Sequence, residues 1–153
     1  MRARAILSVL VVCAAAAVAL AADASVGTWK LNAAKSKLSP NGPRNNTVVI
    51  AAAGDNMKVT VDGTGRDAKP SHNEWTGKFD GKDYPVTGDT DTDMRSCTRV
   101  DNHTFTLAGK KGGKVVTSGR IVISADGKTR TVTTTTTDAE GKKTSATSVY
   151  EKQ

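Results

Sequence analysis

The chain has 153 residues, with 22 Lys and Arg against 15 Asp and Glu, two His and two Cys. That length admits one domain with a closed core. The formal net charge of +7 is scattered among acidic residues, as in Lys78-Phe79-Asp80-Gly81-Lys82-Asp83. It lacks the basic stripe with interleaved aromatics that nucleic-acid binding requires, so no nucleic-acid partner is expected. Attraction to an anionic surface or ligand stays open.

Arg2 and Arg4 precede an uncharged apolar run from Ala5 to Ala22, broken only by Ser8. Ala19-Leu20-Ala21 and Ala22-Asp23-Ala24 both fit the A-x-A cleavage pattern. Charged start, apolar middle and small-residue end predict a signal peptide over residues 1–22, cut between residues 21 and 24. A retained anchor is the rival, but the run is short for a span of roughly 20 residues. Lipoprotein anchoring at Cys13 wants a small residue before it, where Val12 stands. The expected product is a periplasmic or secreted domain over 23–153, monomeric and without membrane attachment. It keeps 20 basic and 15 acidic residues, a charge of +5. Cys97 is then its single cysteine, which forbids an intrachain disulfide. Its place inside a predicted strand suits a buried small hydrophobe.

Beyond the leader the spacing predicts strands separated by turns. They run Val26 to Leu31, Thr47 to Ala52, Met57 to Val61, His72 to Phe79, Lys82 to Val86, Met94 to Val100, His103 to Ala108, Lys114 to Ser124, Lys128 to Thr137 and Lys142 to Glu151. A short helical turn fits Ala33 to Lys37. Asp80-Gly81 signals a hairpin, Pro85 suits an edge or strand end, and Gly119 marks a bulge or close approach. Ten strands with short hairpin loops favour an up-and-down antiparallel barrel, because closure removes the edges. A two-sheet sandwich would need longer crossing connections. Val115, Thr117, Ile121 and Ile123 are read on one face. Thr131, Thr133 and Thr135 alternate with Val132 and Thr134, so the last strands offer little bulk to either side. Thr is a good strand former, and a cavity lined by small polar side chains is the other explanation.

Gly27-Thr28-Trp29-Lys30-Leu31 resembles the opening of the lipocalin and fatty-acid-binding-protein superfamily, whose G-x-W motif starts the first strand. Val149-Tyr150-Glu151 resembles the end of its intracellular members. The chain is also similar to small exported bacterial proteins of unknown activity that begin G-T-W-K-L-N. The resemblance implies a ten-stranded barrel, with Gly27 and Trp29 structural and the indole closing one end. It also implies a small hydrophobic or amphipathic ligand. One departure stands out. The family holds a ligand carboxylate with R-x-Y on the last strand, and the matching positions here are Ser148 and Tyr150. Arg120 or Arg130, on adjacent strands, is the substitute cation. The family's two-helix lid has no counterpart in residues 32–45.

His72 and His103 lie 31 positions apart without ligands at metal spacing, so no metal is expected. No G-x-S-x-G elbow occurs, and Glu74 and Asp80 read as surface charges. No enzyme activity and no cofactor are expected. Asn45-Asn46-Thr47 and Asn102-His103-Thr104 are glycosylation sequons. Trp75, Phe79, Tyr84, Phe105 and Tyr150 are the aromatic pocket candidates. Trp75 and Tyr150 lead them, since each joins an apolar face to one polar handle. The expected function is binding of a small, partly apolar ligand in the barrel. The alternative is a protein-interaction barrel, such as a protease inhibitor or envelope accessory protein.

Overall fold

The computed structural model describes residues 23–153. The leader read over residues 1–22, with Cys13, lies outside them. Ten strands follow one another: β1 (Gly27–Leu31), β2 (Arg44–Ala53), β3 (Asn56–Thr64), β4 (Pro70–Gly77), β5 (Tyr84–Thr87), β6 (Met94–Arg99), β7 (Thr104–Lys111), β8 (Lys114–Ile123), β9 (Thr129–Thr137) and β10 (Lys143–Lys152). Each pairs antiparallel with its chain neighbours, and β10 returns to β1, closing an all-β barrel. A single 3-10 turn, Ala33–Lys35, follows β1 and is capped by the Asn32 side chain.

Closure rests on three residue pairs, Trp29↔Lys152, Lys30↔Glu151 and Leu31↔Tyr150. The chain after β1 lengthens that seam. Asn32 N–H donates to the Val149 carbonyl, and Lys37 exchanges backbone bonds with Thr147. The Glu151 carboxylate accepts from Lys35 Nζ and Asn32 Nδ2, both at 2.9 Å.

Trp29 is fully buried beside this seam, and its indole N–H donates to the Ser25 carbonyl at 2.9 Å. Lys152 lies over the ring, 5.1 Å from its centre. Gly27, two residues earlier, has φ +138, and a Cβ there would stand 2.5 Å from Lys152 Cε. Glycine accepts that backbone without strain. Phe79 and Phe105 pack edge to face at 5.1 Å and complete the floor together with Ile123. Arg99 covers both rings from 5.4 and 4.8 Å. The β2–β3, β4–β5, β6–β7 and β8–β9 turns lie at this closed end, and the alternate loops surround the opposite mouth.

Several expectations change in detail. β4 ends at Gly77, not Phe79. Phe79 leaves the strand to stack under Trp75, ring centres 6.1 Å apart. Asp80 then bridges to Thr98 of β6, so Asp80-Gly81 is no simple hairpin tip. Pro85 sits in a paired strand, though a short one. β5 meets β4 only at Glu74↔Thr87 and Trp75↔Val86, and β6 only at Tyr84↔Arg95 and Pro85↔Met94. The bulge in β8 lies at Val116, between Lys110↔Val115 and Gly109↔Thr117. It turns Val115 to the outer wall, 55% exposed, away from the Ile121 face. Gly119 is instead the close approach, where a Cβ would stand 2.7 Å from the Thr133 carbonyl oxygen.

Two substitutions test this reading. Trp29→Ala should lower unfolding free energy in urea by about 3–5 kcal/mol. Trp29→Phe, which keeps most of the plug and loses the bond to Ser25, should lose about 1 kcal/mol. Gly119→Ala should destabilise by about 1–3 kcal/mol, because the backbone oxygen it meets cannot swing away. A smaller loss than Ile121→Val would contradict the close approach.

Candidate ligand cavity

Ten strands enclose more space than this sequence fills. Along β7 to β10 the inward positions carry small side chains, with Gly109, Thr117, Gly119, Thr134, Thr136, Thr144, Ala146 and Ser148 in register across the wall. The result is a cavity of about 790 Å³, within the usual range for small-molecule sites, and its lining reaches the mouth loops. Period two explains the sorting on β9. Val132, Thr134 and Thr136 line the cavity, and Thr131, Thr133 and Thr135 stand on the outer wall.

The lining changes character from floor to mouth. Deep in the barrel it is apolar, with Val48, Ile50, Trp75, Phe79, Phe105 and Ile121. Towards the mouth it is hydroxylated, with Thr117, Thr134, Thr136 and Thr144. Arg130 opens β9 at the deep end. It pairs across to Ile123 on one side and Tyr150 on the other.

Arg130 is a deeply buried polar group of this cavity. It is 8% exposed, and its Nε is buried with no hydrogen-bond partner. No ion pair to it forms among the described residues. Its guanidinium lies over the Tyr150 ring, 5.3 Å from the centre. Burial pushes the Arg130 pKa down, and Tyr150 and Cys97 oppose that. Burial likewise raises the Tyr150 phenol, with Arg130 and the Ser148 hydroxyl holding it back. A buried cation without an anion is costly.

A second arginine enters the same space. Arg95 of β6 lines the cavity and reaches Asp89 of the β5–β6 loop at 3.4 Å. Asp89 is occupied on its own loop as well. It accepts from the amides of Asp91 and Thr92 and from the Thr92 hydroxyl at 2.7 Å. Asn73 of β4 also lines the cavity, and its Oδ1 is buried without a partner. Of these groups, Arg130 is unpaired among the described residues, Arg95 is paired with Asp89, and the Asn73 amide oxygen is unsatisfied.

The sequence candidates separate cleanly. Tyr150 and Arg130 face inward side by side. Arg120 does not line the cavity. It is exposed on the outer wall, opposite Thr106 and Thr133, because its neighbour Ile121 takes the inner position. Trp75 lines the cavity, but its polar handle is engaged, with the indole N–H donating to the Arg95 carbonyl at 3.0 Å. Phe79 and Phe105 also line it. Tyr84 packs edge-on against Trp75 from the far side, and its hydroxyl donates to Asp80. His72 bonds Asp62 on the exposed wall at 2.7 Å. Arg95 and Asn73 are not among the sequence candidates. The signal for Arg95 was its alternation with Cys97, since a buried Cys97 puts residue 95 on the same face.

Cys97 lines the cavity two positions along β6 from Arg95 and is 7% exposed. Burial pushes its thiol up to about 11, against the pull of Arg130, Arg95 and Arg99. It is a packing residue rather than a nucleophile.

No protein-family model matches the chain, and no curated protein matches it. Among solved structures it is similar to a redesigned beta barrel, mFAP1, bound to DFHBI. That likeness has 15% identity and a TM-score of 0.46, over 84% of this chain and 95% of that one. Similarity at that level has no bearing on what this cavity holds.

The thiol supplies a test of the interior. At pH 8 the thiolate fraction of Cys97 should be roughly a hundredfold below that of an ordinary cysteine, so labelling by a disulfide reagent should be slower by about that factor. Its folded value lies above the unfolded one, so its contribution to stability is intact below about pH 9 and fades as pH rises towards 11. Urea midpoints of the native chain should therefore fall faster than those of Cys97→Ala across that window.

Proposed function

We propose that this protein binds a small molecule with an apolar body and an acidic group, seating the acid on Arg130. The observation that carries the reading is a buried guanidinium that faces an open cavity and has no anion of its own. A ligand carboxylate or sulfonate would accept from the Arg130 guanidinium and lie beside the Tyr150 phenol, and such charge-assisted bonds strengthen away from water. The apolar body would rest on Trp75, Ile50 and Leu107. The Thr-lined wall towards the mouth leaves room for polar substituents. Binding proceeds by burial, without bond chemistry, in keeping with a carrier or sensor exported to the periplasm or beyond.

The alternative, a barrel that docks a protein through an apolar rim, has less support. The large exposed apolar side chains are Val100, Val115 and Val122. They belong to the floor turn, the mouth end of β8 and the outer wall, and so form no single patch.

Two fluorescent probes distinguish these readings. The sulfonate 1-anilinonaphthalene-8-sulfonate should bind the native protein, and Arg130→Met should weaken it at least tenfold, about 1.4 kcal/mol. The uncharged N-phenyl-1-naphthylamine should bind both proteins alike. Without ligand, Arg130→Met should be as stable as the native chain or more so, by as much as about 3 kcal/mol. Equal sulfonate affinity in the two proteins would remove Arg130 from the site.

A further inference from the structure

The segment before β1 pairs with no strand, yet it is built into the floor. Ser25 is 3% exposed, and its carbonyl accepts the Trp29 indole N–H. Asp23 organises the residues around it. One carboxylate oxygen accepts from the Ser25 amide at 2.9 Å and the Ser25 hydroxyl at 2.6 Å. The other pairs with the guanidinium of Arg99, and the Asp23 carbonyl accepts from Val26 N–H at 3.0 Å. Arg99 in turn lies over Phe79 and Phe105. Asp23 thus ties the start of the domain to β6, 76 positions away in sequence.

The two cleavage triplets differ in what they leave of this arrangement. A cut after Ala21 leaves Ala22-Asp23-Ala24-Ser25, with the carboxylate intact. A cut after Ala24 makes Ser25 the first residue. It deletes the only carboxylate that Arg99 pairs with among the described residues. It also converts the Ser25 amide, now bonded to Asp23, into an ammonium at a buried position. The leader itself does not discriminate, because both triplets present small residues at the required spacing. The floor does.

We propose that the leader is removed at Ala19-Leu20-Ala21, so that the mature protein begins at Ala22 and retains Asp23 as the latch of the barrel floor. The step is hydrolysis of one amide by a host leader peptidase. The Ala21–Ala22 C–N bond breaks, and water gives its hydroxyl to the Ala21 carbonyl carbon and a proton to the Ala22 nitrogen. The proposal rests on the export reading, and the same measurement tells the two apart.

The whole chain, expressed with its own leader in a Gram-negative bacterium, should yield a periplasmic product whose intact mass and N-terminal sequence begin at Ala22. A product beginning at Ser25 would overturn the choice of site while leaving export standing. An uncut chain would overturn export and the proposal with it. In parallel, chains 22–153 and 25–153 can be released from a cleavable fusion and melted. The shorter chain should melt more than about 5 °C lower, and Asp23→Asn in the longer chain should reproduce part of that loss. Burial alone would raise the Asp23 carboxyl, but the Ser25 donors and Arg99 outweigh it and hold it below its ordinary value. The advantage of the longer chain should accordingly be full above about pH 4 and fade as pH falls further. Equal melting of the two chains at neutral pH would overturn the latch.

Discussion

A sheet of ten strands becomes a barrel only if its first and last strands meet, and here the first is five residues long. So short a strand cannot hold a seam by its ladder alone. The indole of Trp29 makes up the difference, filling the base of the barrel and fixing the entering chain through its bond to Ser25. The pairing of β1 with both β2 and β10 then follows, and every other strand finds its place by a local turn. Lys152 over the ring and Glu151 bonded to Asn32 and Lys35 tie the end of the chain to the same point. The floor and the seam are one structure, and the hollow above exists because that structure does not depend on a filled interior.

The interior gives up stability at one position. An apolar residue at position 130 would satisfy the packing and avoid an uncompensated charge. Arg130 is instead carried by β9 with only the Tyr150 ring against its guanidinium, and no carboxylate among the described residues pairs with it. Arg95, in the same cavity, has Asp89 beside it and is neutralised. The contrast between the two arginines gives the site its direction, with a compensated cation at β6 and an uncompensated one at β9.

Much of the fold was legible in the sequence because the strands carry strong turn punctuation and Gly27-x-Trp29 marks a beginning. The number of strands, their order and the burial of Trp29 agree with that reading, and each depends on local chemistry. The departures come from interactions between segments far apart in sequence. Phe79 reads as a strand residue by alternation, but the space beneath Trp75 and beside Phe105 draws it off the strand. The β8 bulge falls at Val116, between ordinary strand formers, because the extra residue answers to the register of β7. Of the site, Tyr150 and Arg130 were readable as candidates, and Arg120 could have been set aside by parity with Ile121. Asn73 and Arg95 were invisible as site residues because only closure brings β4 and β6 to face β9.

The uneven ladder around the barrel has a mechanical consequence. The wall from β7 to β10 is zipped along nearly its whole length, and it carries Arg130. The wall at β5 has two pairs on either side, and it stands against Trp75. Thermal opening begins where the fewest backbone bonds must break together. The staves at β4 to β6 therefore part first, like a cask sprung on one side, while the stave that bears the cation stays rigid. A ligand gripped at its acidic end would keep that grip while the surface along its apolar flank came and went.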